Sequence, residues 1–202
     1  MKFLVEDGRF DYIESGSLLG VSYKEVPSYP VGYEQHLRMY PLTLREFFDA
    51  MGQNDQTLEL VRALTGDALK ASYLTNGVAH ARTLAQKGCK VFLLGGLLRP
   101  ETEAIIGAAA LYSLQQYNFT KAFLGANGVA LDAGFTTPDP EEAAVKATAV
   151  RRAREAWFLV DDSKFARVYP AVIAELSGGA ILTNHCPNPK YRQFTLIKEA
   201  AE

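Results

Sequence analysis

The sequence predicts an α/β domain with a mostly parallel sheet and helices on both faces, preceded by a mixed α/β N-terminal segment. Three observations lead there. From Cys89 onward, short apolar runs end in glycine or a polar cluster, an amphipathic stretch follows, and another apolar run begins, which is the punctuation of βαβ units. The runs Val91-Phe92-Leu93-Leu94, Ala122-Phe123-Leu124, Trp157-Phe158-Leu159-Val160 and Ala180-Ile181-Leu182 are continuously apolar, as in strands covered on both faces. A hydrophobic fraction of 48% over 202 residues suffices to fill a core.

Taken in order, residues 1–66 hold five tyrosines and three prolines and read as a segment of their own. A strand is expected at 10–14, a helix from Thr43 or Leu44 to Met51, and another from about Asp55 to Leu64, with Gly52-Gln53-Asn54 between them. Two helices around a glycine turn have the outline of a helix-turn-helix. The second, however, offers Arg62 as its one cation beside Asp55 and Glu59, a poor surface against phosphates, so a structural role is favoured. The stop signal Thr65-Gly66-Asp67 divides the chain into 1–66 and 67–202. Ser72-Tyr73-Leu74 reads as a strand. A helix over 101–117 is predicted from Pro100-Glu101 and from Ile105, Ala109, Tyr112 and Ile106, Ala110, Leu114 at helical spacing. The next helix opens with Asp139 as cap, Pro140 at its first position, and Glu141 and Glu142 where the dipole favours negative charge. Its expected buried stripe is Ala143, Ala147, Val150 and Ala153. Lys146, Arg151, Arg152 and Arg154 read as a solvated face rather than a DNA patch.

The net charge of −2 and pI near 6.0 lack the basic excess of a free-standing nucleic-acid binder. Cys89 and Cys186 form neither a CxxC nor a Cys/His spacing, which argues against a zinc site or a disulfide framework and fits a reducing cytoplasm. The start, Met1-Lys2-Phe3-Leu4-Val5-Glu6-Asp7, turns acidic early, and no apolar run approaches the ~20 residues that span a bilayer. A soluble, unprocessed cytoplasmic protein without membrane attachment is expected.

Open parallel sheets bind ligands at the carboxyl ends of their strands. Here those positions are polar and glycine-rich: Thr75-Asn76, Gly95-Gly96, Gly125-Ala126-Asn127-Gly128 and Asp161-Asp162-Ser163-Lys164. Glycine lets backbone N–H groups approach an anion, Asn and Thr bond sugar hydroxyls, and Lys164 supplies a point charge for phosphate or carboxylate. A phosphorylated polyol is the natural guest. Each motif also has a plain structural reading: turn glycines, and Asp161 with Lys164 as a surface ion pair or cap. Repetition of polar strand ends around one crevice favours the ligand site. Thr136 and Thr137, in Gly134-Phe135-Thr136-Thr137-Pro138-Asp139, fit equally as ligand contacts near a helix N-terminus and as local caps. His36, His80 and His185 have no partner at catalytic spacing, Ser15 is not in a GxSxG context, and neither GxxxxGK[ST] nor a strand-linked GxGxxG occurs. No catalytic residue, metal or cofactor is assigned.

The ordered series Leu94-Gly95-Gly96-Leu97-Leu98-Arg99-Pro100-Glu101-Thr102, Phe123-Leu124-Gly125-Ala126-Asn127-Gly128, Gly134-Phe135-Thr136-Thr137 to Glu142-Ala143, Asp161-Asp162-Ser163-Lys164-Phe165, and Ile181-Leu182-Thr183-Asn184 through Tyr191 to Lys198-Glu199 resembles the effector domain of DeoR-family repressors over about residues 68–199. The resemblance implies a fold similar to ribose-phosphate-isomerase-like sugar enzymes. It also implies binding of a phosphorylated sugar without turnover, with Asn127, Thr137, Glu142 and Lys164 lining the site, and release of the repressor from its operator. Against the family pattern, residues 1–66 show no winged helix-turn-helix, and a strand with an Asp/Ser-Gly-Thr-Thr loop is missing ahead of Thr75-Asn76. DNA contact is therefore expected only through a missing or separate domain, and an exposed sheet edge predicts a homo-oligomer. Glu14-Ser15-Gly16-Ser17 is superficially similar to that loop but lies too far from Asn76. Residues 3–64, through Gly8-Arg9-Phe10-Asp11-Tyr12-Ile13-Glu14-Ser15-Gly16-Ser17-Leu18-Leu19-Gly20, Ser28-Tyr29-Pro30-Val31-Gly32-Tyr33-Glu34, Met39-Tyr40-Pro41-Leu42 and Glu46-Phe47-Phe48, resemble an internal piece of AAA-type ATPases with a DUF4143 domain. That piece lacks the Walker segments, which implies no ATP binding or hydrolysis. An isomerase using Glu142 as base and Lys164 as anion anchor is the alternative activity. A fused fragment with a structural role is the other alternative.

Overall fold

The computed structural model describes residues 56–199; the strand expected at 10–14 and the helix expected at 43–51 lie outside them. The first described helix, α1 (Gln56–Ala63), carries Val61 into a cluster with Leu84 and Cys89. A 3₁₀ turn over Gly66–Lys70 leads to β1 (Ser72–Thr75). Helix α2 (Val78–Gln86) then crosses to β2 (Lys90–Leu93), which pairs with β1 in parallel, Tyr73 opposite Val91. Tyr73 and Val91 pack on the α1/α2 cluster, whereas Leu74 packs toward Ala110, Leu114 and Val145. Helices therefore flank this small sheet on both faces without burying it: Phe92 and Leu93 of β2 stay 38% and 47% exposed, in contrast to the expectation of strands covered on both sides.

The helix predicted over 101–117 is only half present. Leu97–Arg99 (β3) and Ala104–Ile106 (β4) form an antiparallel hairpin with Pro100 in its turn, and helix α3 begins at Ala108 and ends at Gln115. Two causes compete with the helical spacing. Ile105 and Ile106 are β-branched, which suits a strand, and Ile105 is tied to the end of β1: its N–H donates to the Asn76 carbonyl at 2.7 Å, and the Asn76 amide donates to its carbonyl at 3.2 Å. Gly107, at φ 91, then breaks the strand before α3.

The main sheet follows: β5 (Phe119–Gly125), β8 (Ala153–Leu159), β10 (Ala180–Thr183) and β11 (Ile197–Glu199), all parallel in the order β11-β10-β8-β5. The expected apolar runs thus divide between a two-stranded and a four-stranded parallel sheet, and among the described residues no strand pairing joins the two. Three further strands went unpredicted. They are β6 (Gly128–Ala130), β7 (Gly134–Thr137) and β9 (Ala171–Ala174), an antiparallel sheet in the order β6-β7-β9. They are three or four residues long and glycine-rich or small, too short to show a period.

Parity in the main sheet decides what is buried. Leu124, Phe158, Ile181 and Ile197 share one face and join Phe135, Ile173 and Ala143 in a single core. Phe135 and Phe158, both fully buried, stack at 3.6 Å between ring centroids, and burying each ring is worth about 1.5–3 kcal/mol. On the opposite face Phe123 is 43% exposed, in contrast to the expectation of strands covered on both sides. Tyr191 fastens the small sheet to this core. Its hydroxyl donates to the Val129 carbonyl at 3.1 Å and accepts from the Ala166 N–H at 3.2 Å, and its ring meets Phe165 edge-on at 5.0 Å. Burial raises its phenol above the usual range, against the lowering effect of the Ala166 hydrogen bond.

Helix α4 (Pro140–Arg152) starts as predicted: the Asp139 carboxylate accepts from the N–H groups of Glu141 at 2.7 Å and Glu142 at 3.1 Å, with Pro140 in the first turn. Its buried side is wider than the predicted stripe. Ala143, Val145 and Thr148 are buried, Ala147 and Val150 half-buried, and Ala153 is the first residue of β8. The reason is tertiary, since the helix is wedged between two cores: Ala143 and Val150 face one, Val145 and Ala149 the other.

Candidate functional site

The polar strand ends fall into three groups. At β1 and β2, Thr75 accepts from the Gly77 N–H at 3.1 Å, and Asn76 holds β4 in place. Gly95 borders open space, whereas a Cβ on Gly96 would stand 2.5 Å from the Ile106 carbonyl oxygen. Here Thr75, Asn76 and Gly96 build the loop that seats the β3–β4 hairpin.

At β5, the Thr137 hydroxyl donates to the Asn127 side-chain oxygen Oδ1 at 2.9 Å, and the Asn127 backbone N–H donates to the Thr136 carbonyl at 3.0 Å. Asn127 is exposed, and among the described residues its amide NH₂ makes no hydrogen bond, which leaves a donor at the surface beside Gly125. Thr136 is placed otherwise. It is fully buried, donating to the Gly128 carbonyl at 3.3 Å and accepting from the Tyr169 N–H at 3.1 Å, so both functions of its hydroxyl serve the small sheet. Gly128 lies against the same strand, with the Arg167 carbonyl oxygen 2.4 Å from where a Cβ would be.

At β8, Asp161 is both the cap and the ion-pair partner that the sequence allowed. One carboxylate oxygen accepts from the N–H of Ser163 at 2.9 Å and from the Ser163 hydroxyl, and the other stands 3.8 Å from the Lys164 ammonium. Asn184, at the end of β10, brackets the neighbouring residue, accepting from the Asp162 N–H at 2.9 Å and donating to its carboxylate at 3.2 Å. The sequence reading missed Gln56, the first residue of α1. Its amide nitrogen donates at 2.8 Å, across 105 positions, to the same Asp161 oxygen that faces Lys164. The residue is 8% exposed and, among the described residues, its side-chain carbonyl oxygen has no hydrogen-bond partner, a state that costs about 1–3 kcal/mol. No local signal marks such a residue, because its surroundings come from another strand.

Glu142, one turn into α4, is held by three groups: the Thr102 hydroxyl at 3.1 Å, Lys146 at 3.6 Å and Arg99 at 3.9 Å. Arg99 also pairs with Asp139. Hairpin β3–β4 and the start of α4 are thus joined by a charge network that positions Glu142 rather than leaving it as a free base. Among the described residues, no cluster of three His, Cys, Asp or Glu side chains is placed to hold a metal ion.

Amide, hydroxyl, carboxylate and ammonium groups thus stand in three groups at the carboxyl ends of parallel strands, the places where α/β domains take small ligands. The chain belongs to the family of the DeoR C terminal sensor domain, whose model matches residues 55–184. It is 41% identical over 128 residues to the uncharacterized HTH-type transcriptional regulator FruR of Bacillus subtilis, covering 62% of this chain and 51% of that one. It is 34% identical over 121 residues to the HTH-type transcriptional regulator GlpR of Haloferax volcanii, covering 60% and 46%. Against the glycerol-3-phosphate regulon repressor of Escherichia coli the identity is 33% over 95 residues, covering 46% and 38%. The chain spans about half the length of the first two relatives and less of the third. Among the described residues no helix is long and apolar enough to cross a membrane.

Proposed function

We propose that this domain senses a phosphorylated sugar or related metabolite for a DeoR-type transcription regulator, in the cytoplasm and without turning the ligand over. The observation that carries this reading is the donor-rich rim of the strand ends. Lys164, held beside Asp161, supplies the charge for the phosphate, and the Asn127 amide, oriented by Thr137, supplies a donor for a hydroxyl. Gly95 and Gly125 border open space in which a ligand approaches backbone. Glu142, engaged by Thr102, Lys146 and Arg99, suits a ligand-positioning part better than that of a general base, so the sensing reading stands ahead of an isomerase. Contact with DNA belongs to a separate domain, as the relatives' names and their greater length suggest.

The likeness of residues 3–64 to an ATPase fragment receives no support from the comparisons, and the family match takes in residues 55–64. The sensing unit accordingly starts at α1 in this proposal, since that helix packs on α2 and reaches Asp161. Self-association is also proposed: among the described residues β1 pairs only with β2 and β5 only with β8, which leaves backbone edges that seek partners. A monomer in sedimentation would remove that part.

Calorimetry against a panel of sugar phosphates tests the main reading. At least one member binds, and Lys164→Ala weakens it tenfold or more, about the 1.4 kcal/mol of one charge-assisted contact. No binding by any member, with Lys164→Ala indistinguishable from the parent, refutes it.

A further inference from the structure

We infer that the outer edge of β2 is the surface on which two copies of this chain pair, antiparallel and about a two-fold axis at Phe92; the inference rests on the self-association proposed above and names its surface. The backbone decides which groups are on offer. The Leu94 N–H donates to the Thr75 carbonyl at 2.9 Å, so in this parallel pair the even-numbered residues of β2 turn their N–H and C=O toward β1. Val91 and Leu93 point theirs the other way, and among the described residues β2 pairs with β1 alone. Side chains leave that edge unguarded. Phe92 and Leu93 are exposed, Tyr117 stands beside Phe92 with ring centroids 6.1 Å apart, and the exposed Leu97 and Leu98 carry the apolar margin on into the hairpin. From Val91 to Leu98 the chain holds neither the charge nor the proline with which exposed edges are commonly blunted. The free edges of β1 and β5 are better protected: Tyr73, Leu74 and Thr75 are half-buried, and β5 carries an exposed Lys121 in its middle.

The same pattern selects a second copy as the occupant. With Val91 and Leu93 facing outward, antiparallel pairing sets Val91 of one copy against Leu93 of the other, each pair exchanging both of its N–H···O bonds. Phe92 then lies opposite Phe92 of the second copy as the closer, non-hydrogen-bonded pair, with Cα atoms about 4.5 Å apart. Aromatic side chains attract in that position. Lys90 falls opposite Leu94, so no like charges are opposed. Such a pairing uses the same patch on both copies and closes this edge at a dimer.

Analytical ultracentrifugation of the full chain tests this. Phe92→Lys and Phe92→Glu each raise the dissociation constant of the self-associated parent by about tenfold or more, because like charges now face each other across the axis. Mixed one to one, the two variants recover most of that loss, since lysine meets glutamate. Leu196→Lys, at a residue also exposed but remote in sequence from β2, leaves the association unchanged. Thermal midpoints within a few degrees of the parent show that the variants fold; should a Phe92 variant unfold, Leu93→Lys charges the same edge and weakens association to the same degree. Variants that associate like the parent, dissociation without recovery on mixing, or an equal loss in Leu196→Lys overturns the inference and leaves self-association through another surface standing. A monomeric parent overturns both together.

Discussion

Replacing Asp139 with alanine probes the junction on which Glu142 depends. The carboxylate caps α4 through two N–H groups, at 2.7 and 3.1 Å, and pairs with Arg99 on the hairpin. Loss of an N-cap costs about 1 kcal/mol, in a range of 0.5–2. The ion pair adds less than its Coulomb energy suggests, because the Arg99 side chain is 34% exposed and water screens it. Together they give about 1–2 kcal/mol, or a drop of roughly 2–8 °C in melting temperature for a chain of this size. Asp139→Asn keeps an oxygen to cap the helix and loses only the charge, so it recovers most of the loss. Chemical denaturation followed by far-UV circular dichroism reads both variants, and the double substitution Arg99→Ala/Asp139→Ala reads their coupling. If Asp139→Ala stays within about 0.3 kcal/mol of the parent, or if Asp139→Asn is as damaging as alanine, the cap is not what starts this helix.

Tyr191→Phe removes a hydroxyl bonded to Val129, whose carbonyl keeps the Ala166 N–H at 2.8 Å, so urea denaturation reads a loss of only about 1 kcal/mol. Because burial raises the Tyr191 phenol, its contribution is fully present below the unfolded value near 10 and fades as pH rises through the folded one; Tyr191→Phe flattens that alkaline decline in a stability titration. Gly134→Ala places a Cβ 2.2 Å from the Ala174 carbonyl oxygen at φ +68, and a melting curve reveals a loss of about 2–4 kcal/mol as β7 and β9 part. Phe158→Ala empties the ring stacked on Phe135 and lowers stability by about 3–5 kcal/mol in the same assay.

Local chemistry was written plainly in the chain where a single stretch of residues suffices. Asp139-Pro140-Glu141-Glu142 announces a helix start because cap, proline and dipole act within one turn, and α4 begins there. The continuous apolar runs at 91–94, 122–124, 157–160 and 180–182 announce parallel strands because burial acts on each side chain separately, and each run lies in or against one. Asp161 was legible as cap or ion pair for the same reason: Ser163 and Lys164 are two and three positions away.

What stayed hidden depends on residues far apart in the chain. Helical spacing at 101–107 gave way to a hairpin once Asn76 bonded both sides of Ile105, an energy that exists only when β1 and β4 meet. The buried side of α4 exceeded its predicted stripe because a second core sits behind it, and Thr136 left the open crevice for the interior because Tyr169 and Gly128 consume its hydroxyl. Gln56 acquires meaning solely from Asp161, 105 positions away. Propensity, capping and burial are properties of a residue and its near neighbours, so the chain carries them openly; desolvation and hydrogen-bond competition across a fold arise only when the distant partner arrives.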